Sequence, residues 1–109
     1  MMNSNKEFID RLKYLYSDLL KIMETNNDGQ INYQINKVKY IIGELSECIT
    51  SNYINSDDII TEIKSIHKSL YTPRGGLAEF YIWKNDVDEL VKANEPLDRI
   101  KDELWNMLS

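Results

Sequence analysis

Apolar residues recur at intervals of three and four along most of this sequence, and this spacing constrains the fold more than any other feature. Over residues 4 to 25, the apolar residues at these intervals are Phe8, Ile9, Leu12, Leu15, Leu19, Ile22 and Met23. Residues at this spacing share one face of an α-helix. Ser4 followed by Glu7 has the spacing of a capping box, which predicts a helix from Ser4 to about Thr25.

Two polar breaks divide the next part of the chain into two further predicted helices. After TNNDGQ, a helix from about 31 to 52 carries the apolar positions Ile31, Ile35, Val38, Ile42, Leu45 and Ile49, with Tyr40, Ile41 and Cys48 beside them. The second break is SNYINSDD, and Ser56 within it is predicted to cap a third helix that ends near Tyr71. The apolar residues of this helix are Ile59, Ile60, Ile63, Ile66 and Leu70. Gly43 costs up to ~1 kcal/mol relative to alanine inside a helix, so we expect a close helix crossing there.

The last part of the chain, residues 84 to 109, again has helical apolar spacing, but Pro96 interrupts it. Proline costs about 3 kcal/mol inside a helix and is tolerated in its first turn. We therefore expect Asn94 to cap a new helix, giving two short helices at an angle or one strongly kinked helix. The whole pattern predicts an all-α fold, with one domain over 1–109, four or five helices in an array or bundle, and a short extended or β-like excursion near residues 77–83.

That excursion lies in the stretch LYTPRGGLAEFYIW, residues 70 to 83, which departs from the helical pattern. The tetrapeptide TPRG suits a type I turn, and the second glycine lets the chain change direction. In an extended chain, Phe80 and Ile82 point one way and Tyr81 and Trp83 the other. The residues that we predict to contact a partner are Arg74, Gly75, Gly76, Glu79, Tyr81 and Trp83.

Charge and composition exclude several classes of protein. The net charge is -5, from 18 acidic and 13 basic residues, which argues against nucleic-acid binding and is compatible with a basic protein partner. No apolar run approaches the ~20 residues that a membrane helix needs, so we predict no membrane partner. A single cysteine and the absence of a signal-type apolar segment in MMNSNKEF predict a cytoplasmic protein.

Residues capable of chemistry are few and scattered. The stretch from Glu24 to Ile35 resembles a calcium loop, but Ile35 stands where the bidentate glutamate belongs, so a helix–helix turn with Gly29 as C-cap is the preferred interpretation. Cys48 is predicted to be a buried, inert thiol, and His67 a half-exposed residue without the companions of a zinc site. We therefore predict no catalytic residue, no metal and no cofactor, and a protein that is not an enzyme.

Two segments in the second half carry a family resemblance. GGLAEFYI resembles the Gly-Ser-aromatic-Asn-Asp-apolar segment of a small bacterial family of unknown function, and LDRIKDELWNML is similar to the C-terminal end of that family. The resemblance covers about residues 70–108. It departs at Gly76, Ala78 and Glu79, where the family has Ser, Asn and Asp. Its build implies an immunity or accessory protein encoded beside a toxin.

Three hypotheses about function follow. The first is a cytoplasmic protein-binding protein, most concretely an immunity-type protein that masks a basic toxin domain. The second is a structural homo-oligomer with an exposed aromatic face. The third is a small ligand binder or enzyme that uses the Arg74-Gly75-Gly76 turn. Tyr14, Tyr16 and Tyr40 fill core positions or contact a partner, and the sequence leaves both alternatives open.

Overall fold

A computed structural model of the chain describes residues 4–26, 29, 31–71, 76–77 and 80–108. Four α-helices make up most of this described part: α1 (Ser4–Thr25), α2 (Asn32–Thr50), α3 (Ser56–Ser69) and α4 (Val87–Leu108). None of the described residues lies in a β-strand. The predicted all-α fold class is confirmed, with four helices in an array that measures 51 × 24 × 22 Å.

The helices α1 and α2 run antiparallel and form the most extensive contact of the bundle. At one end Glu24 of α1 pairs with Lys39 of α2, with 3.6 Å between charged atoms. At the other end Tyr53, just beyond α2, donates its hydroxyl to a carboxylate oxygen of Asp10 at 2.7 Å. In the connection, Gly29 has a φ of +97°, in the left-handed region that favours glycine. It lies four residues beyond Thr25, the last residue of α1, so the prediction that Gly29 caps this helix is wrong.

The third helix lies parallel to α1, and polar contacts fix its register. Asn5 donates its side-chain amide to Ser56 Oγ at 3.0 Å, and the Tyr16 hydroxyl lies 2.8 Å from Nδ1 of His67. The prediction that Ser56 caps α3 is wrong, because Asn55 precedes the helix and Ser56 is its first residue. The Ser56 side chain is buried, and its hydroxyl oxygen accepts the hydrogen bond from Asn5 of α1.

The fourth helix lies antiparallel to α1 and continues through Pro96. Glu103 in its last third accepts a hydrogen bond from Arg11 of α1, with 2.6 Å between Oε1 and the guanidinium nitrogen. Of the two predicted arrangements, the one with two short helices is wrong, because α4 is a single helix through Pro96. Asn94 is an interior residue of α4 instead of a cap. The chain tolerates the proline because the helix on both sides of it is held by tertiary contacts.

The core fills the space between the four helices. Its largest fully buried side chains are Tyr16, Ile9, Leu12, Leu19, Met23, Ile41, Leu45, Ile63, Leu70, Leu77, Leu97 and Leu104. The buried face of α2 passes through Ile41 and Cys48, while Ile42 and Ile49 are only half-buried. The predicted close crossing at Gly43 is wrong, because no atom lies within 4 Å of where its Cβ would stand.

Candidate interaction surface

A non-helical segment, residues 80–84, lies along α4 and leads into it. The half-buried ammonium of Lys101 on α4 donates to the carbonyl oxygens of Leu77 at 2.7 Å and Phe80 at 3.4 Å. The Phe80 N–H donates to the Leu77 carbonyl, and the Leu77 N–H donates to the carbonyl of Leu70 at the end of α3. Burial lowers the pKa of Lys101, which the nearby carboxylates of α4 partly oppose. These contacts fasten the start of the segment to the bundle.

Asn94 holds the middle of the same segment. Its Oδ1 accepts a hydrogen bond from the Ile82 N–H, and its Nδ2 donates to the Ile82 carbonyl, each at 2.7 Å. The same Nδ2 donates to the carbonyl of Leu90 one turn earlier in α4, at 2.8 Å. A primary amide carries both a donor and an acceptor, so Asn94 satisfies both backbone groups of Ile82 as a neighbouring strand would.

The large apolar and aromatic side chains of the segment consequently alternate between the side that faces the bundle and the side that faces solvent. Phe80 and Ile82 are half-buried, and Phe80 packs against the core. Tyr81 is 53% exposed and Trp83 is 67% exposed, with their ring centroids 6.1 Å apart in a T-shaped contact. The alternation predicted from an extended backbone is confirmed, and it directs two large aromatic rings into solvent.

Two further exposed apolar residues, Val87 and Val91, lie in the first turns of α4, the helix into which the segment leads. Val87 and Val91 are one turn apart, so they share a helix face, and Asn94 continues that face towards the segment. We call Tyr81, Trp83, Val87 and Val91 the aromatic patch. Large aromatic side chains at the surface are typical of sites where proteins bind one another.

Acidic residues lie close in sequence to the members of the aromatic patch. Asp86, Asp88 and Glu89 are exposed at the start of α4, against two exposed bases, Lys84 and Lys92. Asp86 is also the cap of α4, since its carboxylate accepts a hydrogen bond from the Glu89 N–H at 3.1 Å. The three carboxylates outnumber the two lysines, so this surface has a small excess of negative charge, of the same sign as the net charge of the chain.

No protein-family model, curated protein or solved structure matches this chain. The resemblance over residues 70–108 therefore stays a prediction. Among the described residues, no helix has both the length and the apolar character needed to cross a membrane. An inference about function consequently depends on the surface and the buried polar groups of the bundle.

The six residues predicted to contact a partner are only partly described. Tyr81 and Trp83 lie together on the aromatic patch, and Gly76 is buried. Arg74, Gly75 and Glu79 lie outside the described residues. The hypothesis of a small ligand binder or enzyme that uses the Arg74-Gly75-Gly76 turn therefore stays a prediction. The sequence did not indicate that Val87 and Val91 belong to this surface, or that Asn94 holds the segment in place.

His67 is buried, and the prediction that it is half-exposed is wrong. It is 2% exposed, and its ring lies against those of Tyr71, at 5.0 Å, and Trp105, at 6.4 Å, between centroids. Burial lowers the pKa of His67 to about 4 and raises that of Tyr16. Ile63 stands four residues earlier on the buried face of α3, a spacing that could have placed His67 there too.

The remaining reactive groups form no catalytic set in the described part of the chain. Cys48 is buried, as predicted, and burial raises the pKa of its thiol, which makes it a poor nucleophile. Glu44 and Glu62 lie near the exposed Tyr40, whose hydroxyl donates to Glu62 at 3.2 Å. No group of three or more His, Cys, Asp and Glu residues among the described ones could hold a metal ion.

Proposed function

We propose that this chain is a small protein-binding protein and that the aromatic patch is its binding surface. The observation that carries the proposal is the exposure of Trp83 beside Tyr81 on a segment that Lys101 and Asn94 hold in place. Tyr and Trp dominate binding free energies at interfaces because they bury large areas with few rotatable bonds. A segment already held in position loses less conformational entropy when it binds.

The charge around the patch indicates the class of partner. Asp86, Asp88 and Glu89 border it, and the whole chain has a net charge of -5. A basic protein surface would be attracted to such a site and would associate with it faster. The most concrete form of the proposal is an immunity-type protein that masks a basic toxin domain. We place this interaction in the cytoplasm, since a chain with one cysteine needs no oxidising compartment.

The test is co-expression with the product of the neighbouring gene, followed by titration calorimetry on the purified pair. We expect Trp83→Ala to weaken the complex about 30-fold, the effect of losing a hot-spot residue worth ~2 kcal/mol. Tyr33→Ala is the matched control, because Tyr33 is an exposed aromatic residue on α2, a helix that does not pack against α4. Equal affinities for the two variants, or no stoichiometric partner, would contradict the proposal.

A homo-oligomer formed through the same patch is the second candidate. The apolar character of Val87 and Val91 favours it, because a second copy would cover them. The like charge of Asp86, Asp88 and Glu89 on both copies opposes it. Light scattering at high protein concentration distinguishes the two candidates: a monomer excludes the homo-oligomer, and a Trp83-dependent dimer supports it.

A further inference from the structure

The backbone hydrogen bonds of the segment 80–84 alternate along the chain. Phe80 has both backbone groups paired, with Leu77 and Lys101, and Ile82 has both paired with Asn94. Tyr81 and Trp83 differ: within the described residues, neither their N–H groups nor their carbonyl oxygens have a hydrogen-bond partner.

This alternation is that of a strand at the edge of a sheet. In an extended chain, successive residues direct their backbone groups to opposite edges. The inner edge of the segment consists of the backbone groups of Phe80 and Ile82. Side chains of α4 bond to them, and Asn94 occupies the position that a second strand would have beside Ile82. The outer edge consists of the backbone groups of Tyr81 and Trp83, which are also the exposed residues. Proteins usually cover or blunt such an edge, because another chain can pair with it.

We propose that the outer edge at Tyr81 and Trp83 binds an extended, basic segment of a partner protein as an added β-strand. The inference rests on the proposed function and specifies how the partner is recognised. Main-chain hydrogen bonds to Tyr81 and Trp83 set the register, and the two aromatic rings contact alternate side chains of the added strand. The edge is two residues long, so side-chain contacts with the aromatic patch have to supply much of the affinity.

The charge of the surroundings decides between the candidate occupants. Asp86, Asp88 and Glu89 lie three to six residues after Trp83, beyond a single lysine, Lys84. Lysine or arginine at alternate positions of the added strand would therefore find carboxylates near the edge. A second copy of this chain would instead bring the same acidic residues together, between two molecules of net charge -5. The occupant is therefore a basic strand from another protein.

Amide hydrogen exchange on the full-length, nitrogen-15-labelled chain tests the inference directly. The probe is a capped peptide of sequence KVKVKV. At saturation we expect it to slow the exchange of the Tyr81 and Trp83 amides at least tenfold, because both would become donors to the added strand. The Ile82 amide serves as an internal control and should change less than twofold, since it is already bonded to Asn94.

Two matched peptides separate strand pairing from other modes of contact. KVKVKV with alternate amides N-methylated keeps the side chains and the charge but cannot pair along that edge, and we expect no protection from it. EVEVEV keeps the strand propensity with the opposite charge, and we expect it to bind at least tenfold more weakly. Equal binding of the methylated peptide, or no binding of KVKVKV at millimolar concentration, overturns the inference.

The same measurement distinguishes this inference from the proposed function. If the neighbouring gene product binds in a Trp83-dependent manner without protecting the Tyr81 and Trp83 amides, strand addition is wrong and protein binding through the patch stands. If Trp83→Ala leaves that complex unchanged, the proposed function is wrong as well. Protection of both amides in the free protein, together with a dimer in light scattering, identifies a second copy as the occupant and overturns the basic partner.

Discussion

Asn94 binds both backbone groups of Ile82, twelve residues earlier, through two hydrogen bonds of 2.7 Å. This relationship links the interior of α4 to the segment that presents Tyr81 and Trp83. It also explains why Asn94, which is common at helix caps, lies inside a helix here: its side chain bonds to Ile82 and to the Leu90 carbonyl. The position of Tyr81 and Trp83 therefore depends on the buried amide of Asn94 as well as on Lys101.

Asn94→Ala should destabilise the protein by about 2 kcal/mol, because it leaves the backbone N–H and carbonyl of Ile82 without partners. Urea denaturation followed by circular dichroism measures this loss. Asn106→Ala is the control, since Asn106 is exposed on the same helix and should change the free energy of unfolding by less than about 0.5 kcal/mol. Equal stabilities of the two variants would show that Asn94 does not hold the segment.

Gly43→Ala should stabilise the protein by about 0.5 to 1 kcal/mol. Gly43 is an exposed residue inside α2, and an added Cβ meets no atom within 4 Å, so alanine gains helix propensity without a clash. Gly29→Ala is the opposite case, because its φ of +97° strains any residue with a Cβ. It should destabilise by about 1 kcal/mol. Thermal unfolding of both variants checks the pair, and a loss of stability in Gly43→Ala would restore the close crossing that the sequence suggested.

The α-helices were predictable from the sequence, but the residues at the centre of each buried face were not always. In α1 the buried residues Ile9, Leu12 and Leu19 belong to the predicted stripe, although the adjacent pairs Phe8–Ile9 and Ile22–Met23 left its centre open. In α2 the adjacent Ile41 and Ile42 satisfy the same spacing, and only packing against the other helices decides between them. When two adjacent residues are both apolar, a spacing of three and four residues does not show which of them lies at the centre of the buried face.

The candidate site was predictable only in part, because its supports come from distant residues. Alternation within FYIW was enough to predict which of Phe80, Tyr81, Ile82 and Trp83 would be exposed. The bond between Asn94 and Ile82 connects residues in different elements, so no local pattern contains it. Pro96 is a strong local signal for a helix start, but tertiary contacts on both sides of it prevail.

Replacing Trp83 should separate a binding role from a structural one. We expect Trp83→Ala to change the free energy of unfolding by less than about 0.5 kcal/mol, because the side chain is 67% exposed. Leu77→Ala, close by in the chain, should cost about 2 to 5 kcal/mol, since Leu77 is fully buried. Denaturant unfolding of the two variants under identical conditions gives the comparison. A large loss of stability in Trp83→Ala would mean that this side chain stabilises the fold, and would weaken its assignment to the binding surface.

Acid should destabilise the fold through His67. Burial lowers the pKa of His67 in the folded protein to about 4, from an ordinary value of 6.5, so between these values the unfolded chain binds a proton that the folded protein does not. Stability from the neutral imidazole is therefore complete above about pH 6.5 and is lost as the pH falls towards 4. About 2 kcal/mol of it should be gone by pH 5. The groups facing the imidazole are the Tyr16 hydroxyl and the rings of Tyr71 and Trp105, and none of them carries a charge that would favour protonation.

His67→Gln isolates this effect, because His67 is the only histidine in the chain and glutamine can still bond to the Tyr16 hydroxyl. Urea denaturation of the protein and the variant at a series of pH values gives two curves of unfolding free energy. The carboxylates contribute equally to both curves. The stability advantage of the histidine form should shrink steadily as the pH falls from about 7 to 5, where the carboxylates are still largely ionised. Parallel curves over this range would show that the imidazole of His67 takes up its proton as readily in the folded protein as in the unfolded chain.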